Sequence, residues 1–179
     1  MTTRIETLRS FIRAEKHHQF RRTPEELGLA NLNEKFQSEG VPAVERSAQM
    51  LKALLEAECP IIIEGERIVA TRTITSIPSI FTDAEWAEIR SKHTLHERGT
   101  VSNLSPDYEG IIADGLEKRK AEVVARLEDT TLSEEQKLFL EAARDSIEAV
   151  QAFILKYKEC AEKAGLTDVA EVLGAIHTE

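Results

Sequence analysis

Apolar residues recur at steps of three and four along most of this chain, which predicts a mainly helical protein. Residues 3–19 place Ile5, Leu8 and Ile12 on one stripe. Thr23-Pro24-Glu25-Glu26 reads as a helix start, with Thr at the cap, Pro in the first turn and Glu closing a capping box. The piece it opens is short, because Gly28 and Asn31 follow. Residues 33–41 carry no clear period and read as a connector. Pro42 opens a helix with Val44, Ala48, Leu51 and Leu55 inward, and Pro60 marks its end. Thr82 and Glu85 form a capping box, with Phe81 and Trp86 as its hydrophobic staple, for a helix running to about Ser91. Ser105-Pro106-Asp107 starts another helix, over 106–128, with Tyr108, Ile112, Leu116, Val123 and Leu127 on one face. Gly115 within it costs about 1 kcal/mol relative to Ala, which predicts close packing there. Ser133-Glu134-Glu135-Gln136 caps the longest helix, 134–163, with Phe139, Ala143, Ile147, Val150, Ile154, Tyr157 and Ala161 as its stripe. Gly165 stops it, and Thr167 caps a last helix over 168–175.

One stretch departs from the helical period. Ile61-Ile62-Ile63 and Ile68-Val69-Ala70 flank Glu64-Gly65-Glu66-Arg67, the signature of a β-hairpin with glycine at a positive φ. The expected fold class is thus mainly α with one β-hairpin, a helical arm over 1–41 preceding a body over 42–179. A lone two-stranded ribbon is marginal in water, so this one must pack on helices or join a larger sheet. The apolar run at 61–63 does not alternate, which points to burial on both faces.

At 179 residues and 20.1 kDa the chain fits a single domain or a segment of a larger one. The net charge is −9, with basic residues interspersed among acidic ones. That excludes the concentrated positive field of a nucleic-acid or anionic-membrane surface. No apolar run approaches the roughly 20 residues of a membrane span, and the N-terminus lacks a secretory core, so a cytoplasmic location is expected. Cys59 and Cys160 lie far apart in sequence and outside any CxxC pattern; they read as free, partly buried thiols that pair only if the fold joins them. His93 and His96, with Glu97, have a conceivable metal spacing but lack the third or fourth ligand zinc requires, and the adjacent His17-His18 has less support; no metal is expected. The eight glycines form no phosphate loop. Cys160-Ala161-Glu162 falls in the last turns of an amphipathic helix.

Taken in order, these segments resemble the N-terminal part of a glycyl radical enzyme of the pyruvate formate-lyase (formate C-acetyltransferase) type. The resemblance runs over about 40–176. It is carried by Glu45-Arg46-Ser47-Ala48 through Leu55, by Pro60-Ile61-Ile62-Ile63, and by Glu66-Arg67-Ile68-Val69-Ala70-Thr71-Arg72-Thr73. It continues with Pro106-Asp107-Tyr108, Gly115-Leu116-Glu117-Lys118-Arg119, and the segment Tyr157 to Ala164. It implies an outer helical layer and the first strand of a larger glycyl-radical α/β barrel. Where relatives read G-H-x-x-P-D-Y, the histidine position is Asn103, which hydrogen-bonds but does not shuttle protons near neutral pH. The resemblance makes Asn103 and Ser102 candidate pocket-lining residues, with the reading of a polar residue ahead of the Ser105 cap beside it. Arg72 projects toward an anion such as a carboxylate, or pairs with a helix carboxylate. The family's mid-chain cysteine and R-V-x-G-[YF] loop are not in these 179 residues, so no catalytic residue is assigned. The implied radical belongs to a missing C-terminal part. The implied partners are the rest of such an enzyme and, through it, a radical S-adenosylmethionine activase; a segment of this kind would expose a large apolar patch on the hairpin side or mask it as a homodimer. The other reading is an autonomous helical protein-interaction module without catalysis.

Overall fold

The computed structural model describes residues 3–67, 69, 72–92 and 107–178. Among these the protein has seven α-helices: α1 (Arg4–Arg13), α2 (Leu32–Ser38), α3 (Ala43–Ala57), α4 (Asp83–Ser91), α5 (Tyr108–Leu127), α6 (Glu134–Lys163) and α7 (Thr167–Thr178). The helical period is thus realised over most of the chain. Helix α6 is the axis, and α3, α5 and α7 all pack on it.

The expected caps form where local chemistry specifies them. At α6 the Ser133 N–H donates to Gln136 Oε1 at 2.9 Å and the Gln136 N–H returns to Ser133 Oγ at 3.2 Å. At α4 Thr82 and Glu85 do the same at 2.8 and 3.3 Å, and the Phe81 and Trp86 rings meet edge-on at 5.3 Å. The box at Thr23 and Glu26 also closes, at 2.8 and 3.3 Å, but opens only a turn. Helix α6 stops at Gly165 (φ 71°), with the Leu166 N–H on Ala161 O at 2.9 Å and the Gly165 N–H on Glu162 O at 3.0 Å. This Schellman geometry folds Leu166 back onto the core.

Two apolar clusters hold the body together. One joins Leu29, Phe36, Met50, Leu54 and Ile74. The other joins Tyr157, Ala161, Ala170 and Leu173, with Ile62, Val69 and Phe153 against it.

Five expectations need correcting. First, the described residues contain no strand, so the hairpin is not formed there; Ile68 and Ala70 of its second arm lie outside them. The turn itself exists: Gly65 has φ 84° and the Glu66 N–H donates to Ile63 O at 2.8 Å. The Ile63 N–H, which would start a ladder, instead donates to the Glu66 carboxylate at 2.8 Å. Burial of the Ile run comes from helices, since Ile62 packs on the α6–α7 cluster. One isolated parallel bridge pairs Arg22 with Ile74. Second, residues 33–41 are not a connector. Leu32 and Phe36 stand one turn apart on α2, and Phe36 is only 2% exposed; seven residues are too few to display a period. Third, α5 is broken at Gly115, whose φ of 71° and ψ of 174° fall in a region open essentially to glycine alone. Fourth, the buried stripe of α6 differs in its first half: Ala142 and Ala149 are buried while Phe139 is 61% exposed. Helix α1 also ends sooner than 19, at Arg13, with Glu15 at φ 54° before a 3₁₀ turn over Lys16–Phe20; its Ile5 and Ile12 are about half exposed.

These differences set the outcomes of three substitutions. Phe36→Ala should cost about 3–5 kcal/mol in urea unfolding, whereas Phe139→Ala should stay within about 0.5 kcal/mol. Gly115→Ala should destabilise by about 1–3 kcal/mol, where an unbroken helix would gain about 1 kcal/mol from the same change.

Candidate functional site

The densest polar arrangement lies where α3 ends. Ala57 is its last residue, and Glu58 turns the chain out with φ −58° and ψ 132° ahead of Cys59-Pro60. The Glu58 side chain is buried, 2% exposed, and fully engaged. Its Oε1 accepts the Arg72 Nε–H at 2.5 Å. Its Oε2 accepts the Thr73 N–H at 2.9 Å and the Thr73 hydroxyl at 2.5 Å. Lys156 of α6 reaches over the same helix end, and its Nζ donates to the carbonyls of Leu55, Glu56 and Glu58 at 3.2, 2.7 and 2.9 Å. An ammonium on the last carbonyls of a helix meets the negative end of its dipole.

Burial alone would push the Glu58 carboxyl up. The Thr73 hydroxyl, the Arg72 guanidinium and the Thr73 amide outweigh it and hold the group below the usual carboxylate range. The neighbouring Tyr157 phenol is pushed up to about 12, first by burial and then by the negative charge of Glu58, against a backbone hydrogen bond from Ile61. Both groups are thereby fixed in one protonation state near neutrality. They serve as anchors rather than as proton carriers.

A second buried charge does similar work at the other end of α3. Arg46, 6% exposed, donates from Nε to Val41 O at 2.7 Å and from an Nη to Ile80 O at 3.2 Å. The same Nη meets the Glu85 carboxylate at 2.8 Å, and the guanidinium lies 5.6 Å over the Phe81 ring. Sequence reading placed Arg46 in the family-like segment but not in the core; its partners are 5, 34 and 39 residues away.

Of the sequence-derived site residues, Arg72 takes the second of its two readings and pairs with a carboxylate at a helix end, its side chain 45% exposed. Ser102 and Asn103 lie outside the described residues, as do His93, His96 and Glu97. Among the described residues no three His, Cys, Asp or Glu side chains cluster as a metal site. His17 and His18 stack edge-on at 4.2 Å, with His18 Nδ1 3.8 Å from Glu15. Cys160 sits near the end of α6, with Sγ 3.6 Å from Pro60 O, the helical setting its periodicity predicts. Glu58 and Lys156 escaped sequence reading, because a helix-end carboxylate and a lysine 98 residues later share no local signal.

Two surface grooves complete the picture. One, about 400 Å³, is lined by Val44, Leu132, Leu138, Phe139 and Leu140 together with Arg126, Glu135 and Gln136. The other, about 310 Å³, runs between α3 and α6 past Leu55, Phe153, Glu56, Glu148 and Lys156. The first is built to take an apolar group; neither contains an aligned nucleophile and base. No helix among the described residues is long and apolar enough to cross a membrane.

The Glu58 anchor has a pH signature. Because its carboxyl titrates lower in the folded chain than in the unfolded one, its contribution is complete above the ordinary glutamate value of about 4.3 and is lost as pH falls through the lowered folded value. Urea midpoints measured from pH 7 to pH 3 should fall on that limb. Glu58→Gln should lower stability at pH 7 by about 1.5–3 kcal/mol and flatten the limb.

Comparison with protein-family models, with curated proteins and with solved structures finds no match for this chain, and none of them identifies it as a glycyl radical enzyme.

Proposed function

We propose that this chain is the N-terminal segment of a glycyl radical enzyme of the pyruvate formate-lyase type, an outer helical layer that carries none of the reacting groups. The ordered set of family-like segments from Glu45 to Ala164 is its basis. The observation that carries it structurally is the placement of exposed apolar side chains. Among the described residues the three most exposed large ones are Ile112 at 82%, Ile77 at 69% and Tyr108 at 67%. In sequence they flank the 93–106 linker, where the resemblance puts the edge of a substrate pocket, at Ser102 and Asn103. Apolar groups so placed are the surface on which the remainder of such an enzyme would pack. On this reading the glycyl radical, the thiyl cysteine and the activase-binding surface belong to other parts of the protein, and the radical cleavage of a C–C, C–O or C–N bond is the property of the whole. The barrel's opening strand would form only when that remainder supplies a partner, since here the Ile63 N–H is taken by Glu66.

A second reading, an autonomous helical interaction module, is favoured by the apolar groove at Val44 and Phe139, which would seat an apolar side chain of a partner. The two diverge in solution. A segment should self-associate or bind a hydrophobic dye, and Ile112→Glu with Tyr108→Ser should suppress both while shifting stability by no more than about 0.5 kcal/mol. A dye-silent monomer at every concentration would favour the module. A transcript that continues past Glu179 into cysteine and R-V-x-G-[YF] motifs would establish the segment. Incubated anoxically with a radical S-adenosylmethionine activase, the 179-residue chain should develop no glycyl-radical signal by electron paramagnetic resonance; a signal would overturn its assignment as inert.

A further inference from the structure

Cys59 and Cys160 are remote in sequence, and the fold brings Cys160 against Pro60, the residue that follows Cys59. Cys160 Sγ donates to Pro60 O at 3.6 Å, across 100 positions of chain. One turn earlier on α6, Lys156 Nζ donates to Glu58 O at 2.9 Å. Two α6 side chains four residues apart therefore grip the residues on either side of Cys59, and Cys59 lies opposite the helix turn between them. Its side chain is exposed, and its Sγ rests 3.9 Å from Ala57 O, a weak contact that one rotamer change about Cα–Cβ releases.

We propose that Cys59 and Cys160 form a reversible intramolecular disulfide when the protein meets a peroxide. Exposed Cys59 is the first to react: its thiolate attacks one peroxide oxygen, the O–O bond breaks, and a water leaves with the thiol's proton to give a sulfenic acid. Cys160 Sγ then attacks that sulfur, the S–S bond forms, the S–O bond breaks and a second water leaves. Two thiols and one hydrogen peroxide yield one disulfide and two waters; both sulfurs are oxidised and the peroxide is reduced. The product ties the exit of α3 to the last turns of α6. It closes a loop of roughly 100 residues, the length range in which a cross-link constrains the unfolded chain strongly.

The experiment treats the purified chain with hydrogen peroxide and reads it by intact mass, thiol titration and non-reducing electrophoresis. Expected are a loss of about 2 Da and of both thiols in a monomeric band, a rise of several degrees in Tm, and full reversal by dithiothreitol. Cys160→Ser, checked for folding by circular dichroism, should abolish the 2 Da loss and leave Cys59 as a sulfenic or sulfinic acid. Cys59→Ser, at an exposed position, provides the same control without touching the core. Disulfide-linked dimers in the unaltered chain, over-oxidation of Cys59 with Cys160 still titratable, or two unreacted thiols would each overturn the proposal.

Discussion

The body of this protein depends on the burial of one carboxylate. Glu58 accepts hydrogen bonds from Arg72 and Thr73, and its carbonyl accepts Lys156, so a single residue joins the end of α3, the segment leading to the Arg22–Ile74 bridge, and α6. A buried charge is tolerable only when its lone pairs are filled. All the donors must therefore be in place at once, which fixes the exit direction of α3 and the position of Arg72 and Thr73 against it together. Arg46 imposes the matching condition at the start of α3, holding the 41 and 80–85 segments against it. Between these two polar anchors the apolar contacts of Met50 and Leu54 need only fill space.

Much of the helical architecture was legible from local chemistry. The capping boxes at Thr82 and Ser133, the Phe81–Trp86 staple and the Gly165 stop are interactions within a few residues, and each appears in the structure as its sequence implies. Long-range choices were not legible. The stripe of α6 admits either Phe139 or Ala142 as its inward member, and the contacts of its partner helices, absent from any local window, decide for alanine. The Ile61–Ile63 run signals burial but not its agent, and a glutamate three residues on captures the amide that would have begun a ladder.

The candidate site divides in the same way. That Arg72 meets a carboxylate was readable as an alternative; that the carboxylate is Glu58, walled by Thr73 and backed by Lys156, required the fold. Asn103 and Ser102 rest on the family resemblance alone. Ile77 precedes that linker in the chain and Tyr108 and Ile112 follow it, and all three side chains are exposed.

Helix α1 stands apart from these anchors. It has no buried residue, and the described bond that ties it to the body is a single one, from an Arg4 Nη to Gly65 O at 2.8 Å. A hydrogen bond of that kind contributes on the order of 1 kcal/mol. The seating of the N-terminal helix therefore leans on an arginine and the turn at Gly65 rather than on either core, which makes it the element that opens at least cost to the rest of the body.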